Sequence, residues 1–147
     1  MLLNSFFYIE KEETAGNLRD TFHVASQNTE CKNSVGTDDG MSAQYHIRLN
    51  PEHPIFKGHF PGCPITPGVC VVQIAVDLFS YLFKQEYHIH KAKNIKFLNI
   101  IKPDETDKLC YQLSWEKQEN NEYRLKAMVQ GDEITYAKMD ITVETEN

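Results

Sequence analysis

In the stretch "HPIFKGHFPGCPITPGVCVVQ", residues 53–73, one histidine, His59, stands between Gly58 and Gly62. Four of the chain's six prolines and three of its seven glycines fall in these residues. Prolines at 51, 54, 61, 64 and 67 are incompatible with a helix interior or a central strand, so residues 51–66 are expected to form a stiffened irregular loop. The flanking glycines remove side chains that would block close approach to the imidazole. Thr66-Pro67 then signals a helix start, threonine as the N-cap and proline at the first helical position. The first N–H groups of that helix, around Gly68, lack intrahelical acceptors and carry partial positive charge. A histidine base and an anion hole would then be neighbours, and removal of a proton from carbon next to a thioester carbonyl is a chemistry that needs both: a base near neutral pKa and donors aimed at the oxygen that becomes negative.

The elements that must position these groups follow from the pattern around them. From Val69 onward, Val71, Val72, Ile74, Ala75, Val76, Leu78, Phe79, Leu82 and Phe83 cover most of a helix's circumference, which predicts a buried helix. Gln73, Asp77, Ser80 and Lys84 fall on one stripe of it. Ser80 and Lys84 are expected at a solvated edge, whereas Gln73 and Asp77 must find a partner or face a cavity. "LCYQLSWE", "YRLKAMVQ" and "AKMDITV" alternate apolar and polar residues as half-buried strands do, with "QENNE" and "GDE" as hairpin turns between them. With "KNIKFLNII" before them they make about four antiparallel strands. Residues 5–12 and 18–24 read as a hairpin, 25–43 as a polar and flexible excursion, and "AQYHIRLN" as a further strand. One long helix wrapped by an antiparallel sheet, an α+β arrangement, is the expected fold.

The 147 residues fit one domain, taken as 1–147. A formal charge of −6 without a basic cluster excludes the electrostatic footprint of a nucleic-acid or anionic-membrane binder. The N-terminus has neither the basic start nor the long apolar core of a leader, and no apolar run is long enough to span a bilayer. A soluble, cytoplasmic protein is therefore expected. Cys31, Cys63, Cys70 and Cys110 show no zinc spacing and are expected to be reduced thiols. His88 and His90 share a face if extended, but no third metal ligand is evident near them in sequence. His53 is expected to shape the loop, and His23 and His46 to be ordinary strand positions.

"GHFPGCPITPGV" resembles the H-F-P-G-x-P-x-x-P-G-V signature of the hot-dog-fold β-hydroxyacyl-acyl carrier protein dehydratases. The similarity runs through "KNIKFLNIIKPDE" and the last strand pairs, roughly residues 43–144. The resemblance implies that His59 is the catalytic base, that Gly68 supplies the backbone donor to the thioester carbonyl, and that the Ile65 carbonyl holds the imidazole. Phe60, Ile65, Pro67 and Val69 would contact the substrate. It also implies a homodimer or higher even oligomer, in which the histidine of one subunit meets an acid on the other's central helix, and a 3-hydroxyacyl chain delivered on acyl carrier protein. No cofactor or metal is implied.

The family's acid lies fourteen residues after the histidine, and here that position is Gln73. An amide can hydrogen-bond a departing hydroxyl but cannot protonate it. Asp77, one turn on, is a candidate replacement; alternatively His59 carries the proton both ways while Gln73 orients the substrate. The expected activity is dehydration of 3-hydroxyacyl-[acyl carrier protein] to the trans-2-enoyl thioester. Two other readings stay open: a catalytically silent hot-dog subunit that binds acyl chains or pairs with an active partner, and a thioesterase using Cys63 or Cys70 as nucleophile with His59.

Overall fold

The computed structural model describes residues 6–15, 41–58 and 65–145. The elements run β1 (Phe7–Ala15), β2 (Met41–Leu49), α1 (Ile55–Gly58), α2 (Gly68–Phe83), β3 (Tyr87–Phe97), β4 (Lys108–Lys117), β5 (Glu122–Gln130) and β6 (Thr135–Thr145). All six strands join one sheet in the order β1-β2-β4-β5-β6-β3, each pair antiparallel. The core of the sheet and helix buries Ile74, Ala75, Val76, Leu78 and Phe79 of α2 against Tyr111, Leu113, Leu125, Ile141 and Val143. At about 1.5–3 kcal/mol for each large apolar side chain removed from water, this layer is the main stabilising term. Toward the end of α2, the rings of Phe79, Phe83, Tyr87, Trp115 and Tyr123 lie 4.6–6.0 Å apart, mostly edge to face. This is the expected α+β hot-dog arrangement.

The β4–β5 turn uses Asn120 and Asn121, both at positive φ (60° and 64°), the conformation that such hairpin turns require and that asparagine tolerates. At the β5–β6 turn, a Cβ on Gly131 would lie 2.8 Å from the Tyr136 ring, so only glycine fits.

Several expectations are corrected. The helix begins at Gly68 with Pro67 as N-cap, a residue whose side chain cannot cap it. Thr66 lies one residue too early to act as N-cap, and its backbone N–H instead donates to Ile101 O (2.9 Å). Residues 55–58 form the short α1 inside the loop expected to be irregular, because Pro54 precedes the turn rather than interrupting it. Ser80 is buried, not solvated; its Oγ accepts the Tyr87 N–H (3.0 Å) where β3 starts. Lys84 is exposed, as expected for that edge of the helix. β1 pairs with β2, and the hairpin partner expected at 18–24, like the excursion at 25–43 for all but its last three residues, lies outside the described residues. "YHIHKAK" and "NIKF" are one strand, β3, paired with β6.

β4 is buried on both faces: Cys110, Gln112 and Ser114 are as enclosed as Tyr111 and Leu113. Alternation tells which face a residue takes, not whether that face is covered. Cys110 is disulfide-bonded, against the expectation of reduced thiols, which rested on local spacing and so was blind to distant pairings. Among the described residues, no helix is long and apolar enough to cross a membrane.

Candidate active site

His59 and Phe60 lie outside the described residues, but both flanks of their loop are anchored. On the entering side, His53 Nδ1 accepts the Ile55 N–H (3.1 Å) and the His53 carbonyl accepts the Phe56 N–H (3.1 Å), so His53 shapes the loop as expected. Phe56 is buried, its ring stacked at 5.4 Å on Phe6, and Phe6 meets His53 edge-on at 5.2 Å. On the leaving side, the Thr66–Ile101 hydrogen bond ties the chain to the strand connection just before α2.

The N-terminus of α2 combines three properties. Its N-cap residue, Pro67, offers the first amides no side-chain acceptor, Gly68 lets a neighbour approach closely, and a cavity of 190 Å³ opens beside it. Ile65, Thr66, Gly68, Phe97 and Tyr136 contribute to the cavity wall. A Cβ on residue 68 would stand 2.9 Å from the Phe97 ring, so glycine is needed for that ring to lie against the helix start. Thr66 Oγ1 is buried in the same wall and makes no hydrogen bond among the described residues. Val69 is 74% exposed and Pro67 and Ile65 are half-buried, so of the expected substrate contacts Ile65 lines this cavity directly while Val69 faces outward from the single chain.

Gln73 and Asp77 meet. Gln73 Nε2 donates to Asp77 Oδ1 at 2.8 Å, with Asp77 only 2% exposed and Gln73 half-buried. Helix geometry explains the pair, since residues four apart face the same way one turn removed. The contact orients the Gln73 amide, which has a second N–H and its carbonyl oxygen for other partners. Gln73 is five residues beyond Gly68, about 7.5 Å further along the axis and about 140° around it, so it lies off the cavity wall that Gly68 and Val71 line.

Two neighbours fix the helix start rather than react. Tyr111 is fully buried and its hydroxyl donates to Val71 O (2.8 Å); burial holds it well above the usual phenol range, so it stays a neutral donor. Burial also pushes the Cys70 thiol up, the opposite of the lowered value that a helix N-terminal nucleophile needs. That removes the support for Cys70 as a covalent nucleophile; Cys63 lies outside the described residues.

Thr66, Phe97 and Tyr136 are among the cavity residues that sequence reasoning missed as such. Phe97 and Tyr136 come from strands distant in sequence, and Thr66 was assigned to capping; a buried hydroxyl that fails to cap becomes visible only in three dimensions.

Comparisons with known proteins agree with this architecture. A 3-hydroxyacyl-[acyl-carrier-protein] dehydratase FabZ from Nitratiruptor sp. is 30% identical over 120 residues, covering 71% of this chain and 80% of that protein. Another, from Fusobacterium nucleatum, is 26% identical over 107 residues, covering 69% and 73%. Among solved structures, the dehydratase heterocomplex ApeI:P from Xenorhabdus doucetiae superposes with a TM-score of 0.59 at 21% identity, over 70% of this chain and 87% of that one, which is a likeness of fold. Residues 34–138 match the family described as "ApeI-like: ApeI dehydratase". That match takes in the loop, the helix and the strands that wall the cavity, and the chain belongs to the ApeI-like dehydratase family.

Proposed function

We propose that this protein removes water from 3-hydroxyacyl thioesters carried on acyl carrier protein, giving trans-2-enoyl thioesters in fatty-acid or polyene synthesis. The observation that carries the reading is the start of α2 at Gly68, opening on a cavity, with the Gln73–Asp77 pair deeper on the same helix. His59 takes the C2 proton as the enolate oxygen draws charge onto the Gly68 N–H. The C3–O bond then breaks, the C2=C3 bond forms, and the hydroxyl leaves as water with a proton returned by His59. Gln73 orients the departing hydroxyl by hydrogen bonding. Asp77, buried behind it, is a positioning residue that aims the Gln73 amide.

The whole chain, 1–147, is taken as one such domain, working in the cytoplasm where the carrier protein is available. A second copy is the proposed partner, added at the edge of β3, which among the described strands pairs with β6 alone. That strand is exposed along most of its length, and Ile89, Phe97, Leu98 and Ile100 are large apolar side chains left in water on it or just beyond it. Phe97 also touches the helix start, so a copy seated on this edge would border the cavity.

One observation favours a second reading. Gln73 cannot protonate a leaving group, so the chain would serve as a silent acyl-binding subunit beside an active partner. The test is a panel of 3-hydroxyacyl carrier-protein substrates of graded chain length, assayed with the wild type and His59→Ala. Turnover by the wild type that is lost in the variant supports the dehydratase. Absence of turnover at every chain length overturns it in favour of the silent subunit.

A further inference from the structure

His88 and His90, which lacked a third ligand in the sequence, acquire two in the sheet. Tyr87 and Tyr123 turn their rings to Phe79 of α2, so the neighbouring His88 and Glu122 point to the opposite face. Glu144 joins them there, paired in register with both His88 on β3 and Glu122 on β5. A register shift between Ile89 and Lys91 makes His90 the extra residue of a β-bulge, a device that re-aims a side chain. As a result His90 Nδ1 lies 3.3 Å and His88 Nε2 3.2 Å from Glu144 Oε2, while His90 Nε2 lies 3.6 Å from Glu122 Oε2. One ligand atom each from His90, Glu122 and Glu144 fall within 4.8 Å of one another.

We propose that His88, His90, Glu122 and Glu144 form a site for one divalent ion of the zinc class, on the sheet face turned away from α2. Two glutamates directly opposite each other on paired strands repel, and a cation between them reverses the sign of that contact. Two imidazoles with two carboxylates make a mixed nitrogen and oxygen set suited to Zn²⁺ and its first-row neighbours rather than to Mg²⁺ or Ca²⁺. Metal–ligand bonds of about 2.0–2.1 Å in a tetrahedron set its edges at about 3.3–3.4 Å. The separations from Glu144 Oε2 to His88 Nε2 (3.2 Å) and His90 Nδ1 (3.3 Å) are already close to that value, and the side chains, 26–47% exposed, are free to bring Glu122 and the two imidazoles in around one ion. One nitrogen of His90 would bind the ion. The ion would stitch β3, at the sheet edge, to β6 and β5, and lies across the sheet from the helix, so it is a structural site independent of dehydration.

The test uses the full untagged chain, stripped with chelator and titrated with Co²⁺ and then Zn²⁺. One Co²⁺ per chain with the visible absorption of tetrahedral cobalt, displaced by Zn²⁺, is expected. Removing even groups that only hydrogen-bond a metal's ligands weakens binding by about 10–100-fold, so His90→Ala and the near-isosteric Glu144→Gln should each weaken it by about 100-fold or more. Zn²⁺ should also raise the melting temperature of the wild type and not of Glu144→Gln, whose fold is checked by circular dichroism. Failure to take up either ion at millimolar concentration, or binding unchanged in both variants, overturns the site and leaves a hydrogen-bonded clasp.

Discussion

Replacing Gln73 by glutamate puts a carboxyl group where the amide now donates to Asp77 at 2.8 Å. Two carboxylates cannot both ionise at that distance. At an effective dielectric constant of about 20, like charges about 3–5 Å apart repel by about 3–6 kcal/mol, equivalent to about 2–4 pH units. Starting from about 4.3, the introduced group would hold its proton to about pH 6.5 or above, shared with Asp77 across a short hydrogen bond. It would then be a carboxylic acid near neutral pH, able to protonate the departing hydroxyl if Gln73 holds the proposed leaving-group position. A positioned general acid contributes about 10²–10⁴ in rate, and because the amide already orients the hydroxyl, an increase in kcat of at least about 10-fold is expected for Gln73→Glu. The assay is the initial rate of enoyl-thioester formation on the preferred 3-hydroxyacyl carrier-protein substrate across pH 5–9. The variant's profile should gain a limb that falls as pH rises, since the active form bears the proton and loses it as pH passes the raised value. A folded Gln73→Glu protein that is slower than wild type at every pH, or whose profile keeps the wild-type shape, would refute the assignment of Gln73 to the leaving-group position.

His59→Ala should lower kcat by about 10²–10⁴, the contribution expected of a positioned general base, with the urea midpoint as the control for folding. Asp77→Asn keeps an acceptor for Gln73 but gives up the charge assistance, so kcat should fall by no more than about 10-fold, with a larger fall in Asp77→Leu; a collapse in the asparagine variant as deep as that of His59→Ala would instead make Asp77 the proton donor. Gly131→Ala drives a methyl group to 2.8 Å from the buried Tyr136 ring and should cost about 1–3 kcal/mol in urea unfolding, an ordinary overpacking penalty. Arg124 grips Asp140 through Nε (3.0 Å) and Nη2 (2.8 Å), and this hydrogen bonding holds the carboxyl below its ordinary value. The pair therefore stabilises the fold above the unfolded pKa of about 3.9 and loses that contribution as pH falls through the lower folded value. Being partly exposed, it is worth about 0.2–1 kcal/mol, so Asp140→Asn should be less stable than wild type by that amount at pH 7, the gap closing toward pH 3.

What local sequence could dictate, it did. The near-continuous apolar circumference from Val69 to Phe83 specifies a buried helix, and the period-two alternation through residues 109–143 specifies strands on its flank, because both periods are properties of the backbone. The Asn120-Asn121 turn and Gly131 are legible for the same reason. The Gln73–Asp77 contact was within reach, since a four-residue spacing on one helix places the two side chains together. The misreadings arise where the outcome depends on what a side chain meets once the chain has folded. Ser80 looks like a surface residue until Tyr87 folds back onto it, and Thr66 looks like a cap until the helix starts one residue too late for it to reach. Gln112 looks solvated although its face of β4 is covered. The cavity at Gly68 needs Phe97 and Tyr136, and the His88–His90 cluster needs Glu122 and Glu144, each delivered by strand pairing. Periodicity determines which way a side chain points; only the order and register of the strands decide what it meets there.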